Sequence, residues 1–123
     1  MIYQIKEYLE NFDSFKGKLI SIDCDEFETS DVVISPIPEK VTVKKYADGG
    51  EIRQFVFSIN LKTESSVSQN RIYILEKDLE AYISKNYFSD NVLYFEIIKS
   101  CHLKKATAAY AEYQMNLRLV YTA

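Results

Sequence analysis

The chain has no tryptophan, one histidine, two cysteines, two prolines and three glycines among its 123 residues. Each scarcity removes a class of chemistry. With only Gly17, Gly49 and Gly50 available, no glycine-rich phosphate loop can be assembled, and neither GxSxG nor HExxH occurs. Cys24 and Cys101 are far apart and neither has a second cysteine nearby, so they form neither a CxxC redox motif nor a zinc knuckle. A disulfide between them is not indicated. The one histidine, His102, adjoins Cys101. A catalytic Cys–His pair acts across a fold, whereas neighbours in a strand point to opposite faces, so the pair reads as a buried cysteine beside a surface histidine.

Long apolar runs are also missing. None approaches the roughly 20 residues that a bilayer crossing needs. The opening residues, Met1 to Glu7, lack the basic-then-apolar pattern of a secretory leader, which points to a cytosolic protein with no membrane partner. Nor is there a basic surplus: 15 Lys and Arg stand against 18 Asp and Glu, a net charge of -3. Phosphate-backbone affinity is carried by clustered cations, and the pairs Lys44–Lys45 and Lys104–Lys105 are too small to make a dedicated nucleic-acid binder.

What is present is apolar and aromatic: 47% hydrophobic residues, with 14% aromatic and ten tyrosines. That content suits one domain spanning residues 1–123. A compact chain of this length buries about two-thirds of its unfolded surface, enough for a real core.

Hydrophobic periodicity supplies the elements. Ile2, Ile5, Leu9 and Phe12 fall on one face of an opening helix, which Asp13, Ser14 and Gly17 end. Residues 18–22 form a short strand candidate, followed by an acidic loop over 23–31. Residues 31–37 are β-branched but broken by Pro36 and Pro38, which lack donors, so this segment is expected at a sheet edge or strand end, with the edge preferred. Residues 41–46 and 52–61 flank Ala47-Asp48-Gly49-Gly50, a strong hairpin signal because glycine accepts positive φ. In the second arm Phe55, Phe57, Ile59 and Leu61 alternate with polar neighbours, so one face enters the core. A polar link over 62–68 leads to a second amphipathic helix through Ile72, Leu75, Leu79 and Ile83, ending near Asn86. Residues 91–99 are strand-like, and Tyr113 to Tyr121 gives the cleanest period of two. The order predicts an α+β fold, an antiparallel sheet with two amphipathic helices packed on one face.

No catalytic constellation stands out among these elements. The acidic loop Asp23 to Glu28 offers oxygens for a hard cation but fails the EF-hand pattern, with Glu28 where glycine is required and Ile34 where glutamate is required. A solvated loop is the simpler reading, and no metal or cofactor is expected. The tyrosines suit either packing or a binding surface, since each offers a large ring and a hydroxyl. Tyr8, Tyr82 and Tyr121 fit core or rim positions. A small domain with conspicuous sheet edges and no evident active site is suited to assembly.

The hairpin region is more distinctive: Ile34-Ser35-Pro36-Ile37-Pro38, then Lys44-Lys45-Tyr46-Ala47-Asp48-Gly49-Gly50, then Arg53-Gln54-Phe55-Val56-Phe57. This succession resembles the small tail-terminator proteins, often labelled minor capsid proteins, of long-tailed bacteriophages and prophages of Gram-positive bacteria. The likeness extends more loosely to residues 74–83 and 113–121. It departs at the link 63–68, where the family often has aromatic residues, and at Tyr82, where a tryptophan is usual. The resemblance implies an α+β fold and a structural, non-enzymatic protein of the virion. It implies a homo-oligomeric, hexameric ring at the head–tail junction, capping the tail tube protein and docking the head–tail connector protein. DNA would pass through the lumen without specific binding, in keeping with a charge of roughly -18 for six copies. Under this resemblance Tyr46, Asp48, Gly49, Gly50 and Arg53 are candidates for the oligomer or tail-tube interface. The Asp48–Gly49 turn is either a projection towards a neighbour or a turn chosen for geometry alone. Arg53 is either half of an intersubunit ion pair or a surface arginine. A head-completion subunit is the alternative within the same assembly, and a small enzyme or ligand-binding domain is the alternative outside it.

Overall fold

The computed structural model describes residues 1–22, 32–64 and 69–123, over which two helices and six strands form a mixed α+β domain. Helix α1 (Ile2–Glu10) turns Ile5 and Leu9 fully inward and ends where the Asn11 side chain donates to the Glu7 carbonyl. A 3-10 turn at Asp13–Phe15 then buries Phe15. Strands β1 (Ile20–Ile22), β2 (Val32–Pro36), β3 (Thr42–Lys45) and β4 (Glu51–Glu64) precede helix α2 (Gln69–Lys85). Strands β5 (Val92–Ala106) and β6 (Tyr110–Thr122) complete the chain. The expected acidic loop, 23–31, and residues 65–68 of the expected link lie outside the described residues.

The sheet order is β1-β2-β4-β6-β5, with β3 also paired to β4. Strand β4 is the spine. Its whole length pairs with β6, from Ile52↔Thr122 to Glu64↔Tyr110, while β3 and β2 share its other side end to end. Four of the five pairings are antiparallel, but β1 runs parallel to β2, Ile20↔Val32 to Ile22↔Ile34. The expected all-antiparallel sheet is therefore corrected to a mixed one. Strand direction leaves no trace in alternation, which is the same for either orientation.

The expected edge placement of β2 is also corrected. Its N–H groups alternate in direction: that of Val32 donates to the Leu19 carbonyl beside β1, and that of Ile37 donates to Val56 of β4. Position 36 shares the direction of position 32. Strand β1 is described as far as Ile22, opposite Ile34, and the residues that follow it beside Pro36 lie outside the described residues. The strand-end half of the expectation stands, and β2 is otherwise an inner strand.

Odd positions of β4 and β6 face one way, and Phe57, Ile59, Leu61, Met115 and Leu117 join Ile5 and Leu9 of α1 and Ile72 and Leu79 of α2 in one core. Helix α1 lies against β1 and β2, and α2 lies against β5. The helices are clasped at their C-terminal ends. The Tyr82 hydroxyl donates to the Tyr8 carbonyl at 2.7 Å, the Tyr8 hydroxyl donates to the Asn86 carbonyl at 2.8 Å, and the two rings lie 4.9 Å apart. Phe12, Phe88 and Phe95 extend this cluster by tilted and edge-on contacts. Such pairs add to the burial of apolar area, and Tyr8 and Tyr82 take the packing role expected of them.

The opposite face of the sheet is polar, as the alternation predicts, yet part of it is buried. Ser58 and Asn60 are almost wholly enclosed, and they close a network in which Gln114 donates to Asn60 and Asn60 donates to Ser58 and to the Val33 carbonyl. Buried amides are tolerated when their bonds are made within the protein.

Candidate functional site

Three places could carry function: the β3–β4 arm, the outer edge of β5 and the pocket beside Cys101. The arm contains the residues singled out in the sequence. Its loop is a tight one: the Gly49 N–H donates to the Tyr46 carbonyl at 3.1 Å and the Tyr46 N–H donates to the Gly50 carbonyl at 2.8 Å. Gly49 has φ +92°, as the third position of a three-residue hairpin loop requires. The Asp48 carboxylate accepts the Gly50 N–H at 2.9 Å, an Asx turn that stiffens the tip. Local geometry thus accounts for Asp48, Gly49 and Gly50.

The arm's side chains are less self-contained. Strand β3 pairs only with β4 among the described residues, and Val41, Val43 and Tyr46 are about half exposed. The Lys44 ammonium lies 5.0 Å from the Tyr46 ring centre. Arg53 already has a partner within the chain, since its Nε donates to Glu51 at 2.7 Å. That bond, ahead of the other nearby charges, holds the Glu51 carboxyl below the usual carboxylate range. Of the five residues, Tyr46 keeps a ring that is about half exposed, beside Lys44.

The second place is the sheet's other border. Strand β5 runs seven residues past the expected stop at Lys99, to Ala106, and folds back into β6 through Thr107. The Thr107 hydroxyl accepts the N–H groups of Ala109 and Tyr110, a turn built from side-chain bonds without glycine. The register of β5 against β6 slips four times, between Val92/Tyr94, Ile97/Lys99, Lys99/His102 and Leu103/Lys105. Each slip places extra residues on β5, so Leu93 and Ile98 are pushed outward and, with Tyr94 and Leu103, remain exposed. Tyr94 is 63% exposed. A bulged edge carrying Lys99, Lys104 and Lys105 is a poor template for a continuous ladder but offers side chains for contact.

Half of the tyrosines, Tyr3, Tyr46, Tyr73, Tyr87 and Tyr94, are exposed. Of these, Tyr94 lies on β5, where the bulges break the period that would have marked it.

The third place, between α2 and β5, is an open pocket of about 500 Å³ lined by Gln69, Ile72, Tyr73, Glu76, Cys101, His102, Leu103 and Tyr113, among others. The Cys101 thiol is pushed up to about 12, first by burial and then by the Glu76 carboxylate. A nucleophilic cysteine needs the opposite shift. Cys101 packs against the core and His102 bonds to the Ser100 carbonyl at 3.0 Å, so the two adjacent residues form no catalytic pair. Among the described residues no group of three or more His, Cys, Asp or Glu could hold a metal ion, and no helix is long and apolar enough to cross a membrane. Cys24 and the acidic residues Asp23 to Glu28 lie outside the described residues.

Compared with protein-family models and with curated proteins, the chain matches none.

Proposed function

We propose that the chain is a structural assembly protein of a tailed phage or prophage, a tail terminator whose copies form a ring on the tail tube and present the surface to which the head docks. The observation that carries this reading is that the sheet has two differently built borders, each with exposed apolar side chains among lysines. One carries the stiff β3–β4 arm with Val41, Val43 and Tyr46 among lysines, and the other carries the bulged β5 with Leu93, Tyr94, Ile98 and Leu103. A head-to-tail contact joins two different patches on each subunit and closes into a ring when the rotation allows. Exposed aromatic and aliphatic side chains at such a patch supply the contact area, with the surrounding lysines at its rim.

The residue succession from Ile34 to Phe57 supports the same reading through its likeness to tail terminators. On this view the helices, both packed into the core, brace the sheet while its borders make the assembly. The finished ring would sit at the head–tail junction, with tail tube protein on one side and head connector on the other. A subunit of the head-completion machinery differs in one observable: it would sediment with heads rather than with tails.

The test is light scattering over a range of concentrations at low and high salt, followed by electron microscopy with tail tubes. The expected result is a mass near six subunits, in solution or on the tube, with rings visible at tube ends. A protein that stays at 14.3 kDa and binds no tube overturns the reading.

A further inference from the structure

Glu76 stands in the middle of α2 with its side chain turned towards the sheet, 5% exposed. A carboxylate removed from water is costly unless hydrogen bonds and an opposite charge compensate it. Glu76 has one such bond, accepted by Oε1 from the backbone N–H of Cys101 at a point where β5 is bulged. No Lys, Arg or His among the described residues pairs with it. The nearest cation along the helix, Lys77, is engaged elsewhere, pairing with Glu80 at 3.7 Å and lying 5.4 Å from the Tyr73 ring centre. Residues 23–31 and 65–68 contain no Lys, Arg or His at all, so they hold no counter-charge for it either. Glu76 is thus a buried carboxylate that joins no ion pair among the described residues.

The carboxylate lines the pocket of about 500 Å³ described above. We infer that this pocket takes an alkylammonium group, the end of a lysine side chain or of a free primary amine, with Glu76 as its counter-charge. The surroundings select that chemistry. A divalent cation wants several oxygens, and one carboxylate does not provide them. A guanidinium is held best by both oxygens of a carboxylate, and here Oε1 is already engaged by Cys101, which leaves Oε2 for a point-like donor. Ile72 and Leu103 offer apolar walls for a methylene stem. This inference holds whether or not the chain forms a ring.

The experiment is a titration of the 15N-labelled protein with n-butylammonium chloride against a sodium chloride control, with light-scattering mass recorded at each point. The Cys101 amide is the reporter because its N–H donates to Glu76. Glu76→Gln is the comparison protein, since glutamine keeps an acceptor for that N–H while removing the charge, and a thermal melt verifies that it is folded. The expected result is a saturable shift of the Cys101, His102 and Leu103 amides, weakened at least tenfold in Glu76→Gln. If the mass stays constant during that shift, the pocket is a site for a free amine. If the mass falls during it, or if no shift occurs but Glu76→Gln assembles less than the parent, the occupant is a lysine of a second copy. Equal shifts in both proteins overturn the inference, as does the absence of any shift together with unchanged mass in Glu76→Gln.

Discussion

The helix-covered side of the sheet and its two borders use the same residue types in opposite ways. On the covered side, tyrosine and phenylalanine are enclosed: Tyr8 and Tyr82 spend their hydroxyls on backbone carbonyls of the facing helix, and Phe57 sits at 0% exposure against Phe95. At the borders, Tyr46 and Tyr94 lie open, beside Val43 and Leu93. The first set is packed within one chain, Phe57 fully and Tyr8 and Tyr82 in part, so its energetics belong to folding. The second set keeps its apolar area in water, so whatever it contributes is gained on association. A small chain rich in aromatic residues therefore says little about function until one knows which of them the fold has already used.

Substitutions can break that contrast, and the largest effect is expected in the core. Phe57→Ala should destabilise the fold by about 3–5 kcal/mol, read as a lowered urea midpoint, because a filled site becomes a cavity. Cys101 tests the covered side chemically. With its thiol pushed up to about 12 by burial and by Glu76, its alkylation at pH 8 should be on the order of a hundredfold slower in the native protein than in urea, measured by mass spectrometry of its peptide. The same raised pKa, and that of Tyr8, also raised to about 12 chiefly by burial, have a linked consequence. Both groups favour the protonated form in the fold, so their contribution is intact below about pH 9 and is lost as pH climbs towards 12. Unfolding midpoints should fall across that window, and Tyr8→Phe should flatten the fall.

Smaller effects follow at the clasp and the arm. Tyr82→Phe removes the hydroxyl bonded to Tyr8 and should cost about 1 kcal/mol, visible by denaturant melts. Gly49→Ala forces a side chain into φ +92° and should cost about 1–2 kcal/mol, confined to the arm. The smallest effect on stability, within about 0.5 kcal/mol, is expected from Val43→Ser and Tyr94→Ser. These two should nonetheless have the largest effect on assembled mass, and a variant that lowers both stability and mass equally would erase the distinction between core and border.

Much of the covered side was legible in the sequence. The 3–4 spacing of Ile5, Leu9 and Phe12 and of Ile72 and Leu79, and the alternation from Tyr113 to Leu119, mark the buried face directly, because burial imposes the period. The Asp48–Gly49 hairpin was legible for a similar reason, since only glycine suits the backbone there without strain. The borders were not. Residues 100–106 were missed as strand because four bulges scramble the alternation of β5, and a polar strand is held there by its ladder to β6 rather than by burial. The parallel course of β1 leaves no mark in its three residues, and Pro36 pointed to an edge because the pairing of β1 along Val32 to Ile34 cannot be seen from β2 alone. Of the candidate residues, Tyr46 keeps an open surface, Arg53 is engaged by Glu51, and nothing in its spacing singles out Glu76, a charged position amid an apolar helix face.

The most direct test of the assembly account is the mass of the purified protein by light scattering, from low to high concentration, with and without tubes of tail protein. The account predicts a species near six times 14.3 kDa that loses mass when Val43 and Tyr94 are replaced together by serine. A single species of 14.3 kDa under every condition would contradict it.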